Sequence, residues 1–362
     1  MSKEENIRIL LKNFVETQID LQVAFLYSNQ GLLISKYSNI EKEVNNEKDF
    51  DEIYGALTVL VERLLSKISS EYKVAHYGSG SFETPDHRIV YLEAGPNAIL
   101  LLVCNFMIDL KKLFPIAYLV AEKIAQLLED SFDSRYNTLT IPDLKLNENL
   151  SVGLDIFAKE ESNEVINGVK TIHRIKKEGK IEQNFKLIVL GSYAVGKTTL
   201  VNTFLKKGQI IDYRPTIGLN ITSQKYYVQG FKDDVISFLI FDLAGQDYFK
   251  RVRHEYYRAA NCVFVVYDVT CRSSFEEAIN FWYEDARVEL GDTPFVLIGN
   301  KIDLANKREV SEEEGLDKAQ ELKCSFIETS ALYNINVQDT FKLVGIGLLF
   351  KRLEKDELSH QN

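Results

Sequence analysis

The sequence predicts two αβ units in tandem: a first half mixing helices with a hairpin-rich sheet, and a second half built on a mainly parallel sheet. Three observations carry this. Hydrophobic period switches repeatedly between helical and strand spacing over the first ~130 residues. A strand, a Gly-rich loop and a helix follow one another at 185–205. The apolar run Phe185–Leu190 that feeds this loop reads as a buried parallel strand. At 362 residues the chain is long enough for two domains.

In the first half, Glu4–Thr17 places Ile7, Leu10, Leu11 and Phe14 on one helical face. Val23–Tyr27 and Leu32–Tyr37 flank Ser28-Asn29-Gln30-Gly31, a hairpin signal with Gly available for positive φ. Helical spacing returns over Phe50–Ile68. Three strands are expected at Lys73–Tyr77, Arg88–Glu93 and Ala98–Phe106, the last two joined by the turn Gly95-Pro96-Asn97. A helix over about Leu113–Leu128 closes the unit, with Pro115 in its first turn, where a missing N–H costs nothing. Sheet and helices are expected to form two layers. No catalytic constellation is visible, and His76 and His87 stand isolated.

The segment 131–183 is polar and mixed. Asn137–Ser151 reads as loop. Leu154–Lys180 fits either an amphipathic helix or strands split at Asn167-Gly168. Its basic group, Lys170, His173, Arg174, Lys176 and Lys177, reads as a solvated face.

The second half carries the chemistry. The apolar run Phe185–Leu190 ends in Gly191-Ser192-Tyr193-Ala194-Val195-Gly196-Lys197-Thr198, followed by Thr199 and a helix. Gly191 and Gly196 permit torsions a Cβ would penalise, so successive N–H groups can curl around phosphate oxygens. The helix N-terminus adds partial positive charge. Lys197 should reach the β- and γ-phosphates and the Thr198 hydroxyl should bind Mg2+. Further on, Asn300-Lys301-Ile302-Asp303 follows the run Phe295–Gly299. A carboxylate at Asp303 can accept from both N1–H and the exocyclic amine of guanine, a donor pair that adenine lacks. The Lys301 stem can lie along the base.

With these motifs in order, residues from about 184 to 353 resemble a Ras-superfamily small GTPase of the Rab and Ras branches. The resemblance implies switch I at Tyr213–Gly218, with Thr216 binding Mg2+ and sensing the γ-phosphate. It implies a third motif at Asp242-Leu243-Ala244-Gly245-Gln246. There Asp242 holds the Mg2+ shell, Gly245 offers its N–H to the γ-phosphate, and Gln246 orients the attacking water. Glu328-Thr329-Ser330-Ala331-Leu332 matches the fifth motif, whose backbone contacts the base carbonyl; Leu332 stands where relatives often carry Lys. Tyr267-Asp268-Val269-Thr270 and Ser273-Ser274-Phe275 add family phrases. Lys197, Thr216 and Gln246 are thus the expected catalytic residues. Thr198, Thr216 and Asp242 are the expected metal ligands, and GTP or GDP with Mg2+ the expected cofactors. Tyr193 departs from the pattern: the position is commonly small, and bulk there projects toward the γ-phosphate and the entry path of Gln246 or an arginine finger. Arg251 and Arg253, just after the third motif, are read chiefly as solvated or partner-binding.

The first ~130 residues resemble, by order of elements alone, a roadblock domain of the profilin-like, longin-related kind. That resemblance implies a homodimer or a roadblock-domain partner, and regulation of a small GTPase. The expected organisation is a roadblock-like α+β domain at 1–130, a linker at 131–183, a Ras-like α/β domain at 184–353 and a tail at 354–362. The expected function is a GTP/GDP switch working with effector, exchange and activating proteins. The rival is a scaffold that keeps GTP as a structural ligand and assembles through its first half.

Net charge is −10, which disfavours a nucleic-acid partner. Cys104, Cys262, Cys271 and Cys324 show no pairing or metal-ligand spacing and suit a reducing compartment. No apolar run is long enough to span a bilayer. Neither a C-terminal cysteine nor an N-terminal Met-Gly is present for lipidation. The expected location is therefore cytoplasmic, with any peripheral membrane attachment made through a partner.

Overall fold

Two six-stranded sheets organise the chain, and they differ in the direction of their strands. The computed structural model describes residues 2–39, 54–55, 59, 79–83, 87–95, 97–134, 137–142, 144, 171–172, 182–206, 219–227, 235–243 and 256–359.

Helix α1, Lys3–Thr17, begins where Ser2 caps it: the Ser2 Oγ accepts from the Glu5 N–H at 3.2 Å, with Glu4 and Glu5 in the first turn. It buries Ile7, Leu10, Leu11 and Phe14, the face read from spacing, together with Val15. Strands β1 (Leu21–Ser28) and β2 (Leu33–Ser38) form the expected antiparallel hairpin. Gly31 takes a φ of +80° at its turn. Strands β3 (Ser79–Glu83), β4 (His87–Glu93) and β5 (Ala98–Asn105) complete the central sheet. The strand beside β4 is Ser79–Glu83, later than the expected Lys73–Tyr77, which lies outside the described residues. Of the expected helix Phe50–Ile68, Tyr54, Gly55 and Val59 are described, and they are helical. A short β6, Thr171–Ile172, pairs antiparallel with β3. The order is β2-β1-β5-β4-β3-β6, every neighbour antiparallel. The segment read as helix or strands therefore supplies an edge strand; its basic group lies outside the described residues.

Helix α2 runs Leu110–Leu128, three residues longer at its start than expected, because Leu110 is itself buried beside Leu113 and Phe114. Pro115 is consequently inside the helix rather than in its first turn. Its ring removes the N–H that would reach the carbonyl of residue 111. The two-layer expectation also needs correction. Ala24, Leu26, Val90, Leu92, Leu100 and Leu102 face α1 and α2. Phe25, Tyr27, Ile89, Tyr91, Ile99, Leu101 and Val103 are buried on the opposite face, where Tyr54 lies 5.2 Å from the Phe25 ring. Both faces of this sheet are covered. The expected loop beginning at Asn137 is irregular but packed: Ile141 and Leu144 are buried, and Asn13 donates to the Leu139 carbonyl at 2.8 Å.

The second sheet comprises β7 (Glu182–Leu190), β8 (Leu219–Tyr227), β9 (Val235–Leu243), β10 (Cys262–Asp268), β11 (Phe295–Asn300) and β12 (Ser325–Thr329). Its order is β12-β11-β10-β7-β9-β8; all pairs are parallel except the edge pair β8–β9. The runs Phe185–Leu190 and Phe295–Gly299 lie in β7 and β11; β11 is buried along its whole length, and so is β10, which was not singled out from sequence. Helices α3 (Lys197–Phe204) and α7 (Val337–Ser359) pack on one face. On the other lie α4 (Arg272–Glu277), which continues through a π-helical stretch, Ala278–Tyr283, into α5 (Glu284–Leu290), and α6 (Glu312–Glu321).

The two halves share a core. Tyr118 of α2 lies 5.4 Å from Phe350 of α7, ring to ring, within one continuous apolar cluster. Two ion pairs cross the same joint: Lys123–Asp339 and Lys342–Glu122, each at 2.6 Å. Cys104, Cys262 and Cys324 are buried thiols, and all four cysteines are free. Burial pushes the Cys104 and Cys324 thiols up to about 12 and raises Cys262 as well, so these three are inert core residues.

Candidate functional site: a phosphate loop at the strand ends

Five parallel strands point their C-terminal ends to one edge, and the motif residues sit there. The loop after β7 curls because its torsions alternate: Gly191 has φ +140°, Ala194 +61° and Gly196 +99°. A Cβ at Gly191 would run into the Val266 carbonyl, and one at Gly196 into the Asn300 amide nitrogen. Only glycine fits either place. Gly196 then starts α3 without a side-chain cap, and the positive end of that helix lies at the loop.

Lys197 is the first residue of α3 and is buried. Its ammonium donates to the carbonyls of Gly191 and Ser192 at 2.8 and 2.7 Å. Desolvation pushes it down to about 8, partly offset by the Asp242 carboxylate. A buried cation held by loop carbonyls at the positive end of a helix suits a polyanion. Thr198 Oγ1 donates to Asp242 Oδ2 at 2.5 Å, joining the start of α3 to the end of β9. Burial raises the Asp242 carboxyl, with the Thr198 bond and Lys197 pulling the other way. Its second oxygen, Oδ1, is buried and lacks a hydrogen-bond partner among the described residues. A hydroxyl and a carboxylate with a spare oxygen, beside a phosphate loop, fit a hard divalent cation such as Mg2+.

The remaining loop residues divide. Val195 is buried, Tyr193 is 53% exposed, and Ala194 and Thr199 are exposed. Ser192 turns inward instead. Its hydroxyl donates to the Glu277 carboxylate and accepts from the Trp282 indole N–H at 3.2 Å. Neither Glu277 nor Trp282 was singled out from sequence. The π-helical stretch that carries Trp282 is the local signature of such sites, but it is not legible in residue types.

At the ends of β11 and β12, Asn300 proves to be a tie rather than an open contact. Its amide donates to the Val195 carbonyl at 2.9 Å and accepts from the Ala331 N–H at 3.0 Å and the Thr329 hydroxyl at 3.1 Å. It thereby joins the phosphate loop to the fifth motif. Lys301 adopts φ +70° and pairs with Asp268 at the end of β10, 2.6 Å away. Asp268 in turn accepts from the Thr270 N–H and hydroxyl at 2.9 and 2.7 Å. Asp303 accepts from the Ser330 hydroxyl at 2.5 Å. Ser330 and Ala331 are buried, whereas Leu332 is 46% exposed. Asp268 was visible only within a family phrase and had no assigned role. Thr216, Gly245, Gln246, Arg251 and Arg253 lie outside the described residues.

A parallel sheet with a phosphate loop after its first strand, a hydroxyl–carboxylate pair and an Asn-Lys-x-Asp loop at one edge defines a nucleotide-binding α/β domain. The Ras family model matches residues 186–347, and the chain carries a Ras family GTPase domain over that span. Such a domain implies guanine nucleotide binding with Mg2+ and, typically, GTP hydrolysis. The αβ half before it lies outside the match. No helix among the described residues is long and apolar enough to cross a membrane.

Proposed function

We propose that this protein is a GTP/GDP switch whose N-terminal half is a roadblock-like module that regulates or dimerises it. The observation that carries the reading is the meeting at one sheet edge of Lys197, the Thr198–Asp242 pair and the Asp303–Ser330 pair. Lys197 holds the β- and γ-phosphates and stabilises charge developing on them. Thr198, Thr216 and Asp242 hold Mg2+, which when bound neutralises phosphate charge. Gly245 reads the γ-phosphate and Gln246 positions water, so that hydrolysis releases two ordered loops. Asp303 selects guanine, Ser330 fixes its carboxylate, and the backbone at Ser330, Ala331 and Leu332 approaches the base. Gly191 to Thr199 form the phosphate cradle. Asn300 and Lys301 frame the base side.

Support for the roadblock-like reading is the succession of α1, a Gly-turned hairpin, three antiparallel strands and α2. Effector, exchange and activating proteins belong to the same proposal, as does a homodimer. So does a cytoplasmic location.

Lys197→Ala should abolish tight GTP binding, read by titration with a fluorescent GTP analogue; wild-type affinity would refute the site. Asp303→Asn should move preference from guanine to xanthine, because an amide donates where the xanthine carbonyl accepts. Exposed Tyr193 favours the second reading, a GTP-stabilised scaffold with suppressed turnover. Single-turnover hydrolysis separates the two. Measurable turnover in the wild-type chain supports the switch; GTP that stays bound unhydrolysed supports the scaffold, and acceleration in Tyr193→Gly then shows that Tyr193 suppresses turnover.

A further inference from the structure

We infer that Lys123, contributed by the N-terminal half, is a positioning residue for the guanine-binding loop of the GTPase domain. The inference rests on the nucleotide-site reading above and names where the two halves communicate.

Lys123 is fully buried, and each of its three N–H donors has an acceptor: the Thr138 and Thr140 carbonyls at 2.8 and 3.0 Å, and Asp339 Oδ2 at 2.6 Å. Asp339 is itself buried in the first turn of α7, and its other oxygen lacks a partner among the described residues. The same turn grips the nucleotide side. Gln338 donates to the Thr203 and Phe204 carbonyls at the end of α3, at 2.8 and 3.2 Å. Phe341 stacks on Phe204 at 3.9 Å. Thr203 donates back to the Ala331 carbonyl at 2.8 Å. Immediately before α7, Ser330 and Ile335 exchange two backbone bonds, and Asn336 holds the Glu328 carbonyl at 2.8 Å. The loop that carries Ser330 and Ala331 is therefore hung from a turn whose only described cationic partner is Lys123.

Removing that cation leaves a buried carboxylate uncompensated. The relief open to Asp339 is to move its turn outward, which drags the base loop with it. Lys342–Glu122 provides a control at the same joint: it bridges the same helices at 2.6 Å, one turn further from the loop.

The test is dissociation of a fluorescent GDP analogue from the full chain, chased with excess GDP. Lys123→Met is expected to raise the off-rate about tenfold, with little change in on-rate. The double variant Lys123→Met/Asp339→Leu, which removes both charges, should return it to within about threefold of wild type. Lys342→Met should lower the melting temperature yet keep the off-rate within about twofold, because it loosens the joint away from the loop. If Lys123→Met does not fold, Lys123→Gln removes the same charge, leaves the Asp339 carboxylate uncompensated and keeps a polar donor, and a raised off-rate is again expected. An unchanged off-rate in Lys123→Met, or in Lys123→Gln where that is used, overturns the inference. So does an equal rise in Lys342→Met, which would mean general loosening. A wild-type chain that fails to bind the analogue overturns the nucleotide-site reading itself, and the inference with it.

Discussion

In the C-terminal sheet, β7, β9, β10, β11 and β12 run parallel, so their C-terminal ends share one edge. Gly191, Asp242, Asp268, Asn300 and Thr329 stand at or next to those ends, brought together from positions far apart in the chain. In the N-terminal sheet every neighbour is antiparallel, so successive loops leave from alternate edges. That sheet has as many strands and a similar share of apolar strand residues, yet it gathers no group of chemical side chains among its described residues. Strand direction, more than composition, decides where a site can be built. The antiparallel half offers something else: an αβ body whose buried helix α2 docks on α7 and whose buried lysine reaches into the neighbouring domain.

The comparison is most directly broken at Gly191. Gly191→Ala puts a Cβ against the Val266 backbone at a φ no alanine prefers. Expected are a loss of about 3 kcal/mol or more of stability in urea unfolding and no detectable GDP binding. A protein that still binds GDP normally would show that the loop's curl is not what makes the site. Next in size is Asn300→Ala, which strands the buried Ala331 N–H and Val195 carbonyl. It should cost about 2–4 kcal/mol in chemical denaturation and weaken GDP binding as well, since one side chain ties both loops. The smallest effect is expected in the antiparallel half. Arg88 pairs with Glu83 and covers the Phe106 ring at 5.4 Å, far from any motif residue in the fold. Arg88→Ala should lower stability by about 1 kcal/mol and leave GDP affinity unchanged. A shift in affinity there would mean that coupling between the halves is spread through the whole N-terminal sheet rather than carried at the α2–α7 joint.

Much of the C-terminal half was readable because its demands are local. A phosphate loop needs particular torsions within a few residues, so Gly191, Gly196 and Lys197 declare themselves by spacing. The buried strand β11 declares itself by its apolar run. Glu277 and Trp282 did not, since their link to Ser192 spans some 85 and 90 residues and depends on a π-helical turn. Pro115 was misplaced because Leu110 looked detached from the helix by two lysines, although burial of Leu110 starts the helix there.

By itself, then, the sequence determined the strand–loop–helix of the phosphate site, the Asn-Lys-x-Asp loop and the hairpin-bearing αβ half before it. All of these follow from backbone torsion and hydrophobic period over short windows. Only the tertiary structure decided that both faces of the N-terminal sheet are covered, that Thr171–Ile172 closes its edge, and that Lys123 pairs with Asp339 across 216 residues. A lysine on a helix reads as solvated until a second helix is laid over it. Burial belongs to the packing of the halves, and no local pattern reports it.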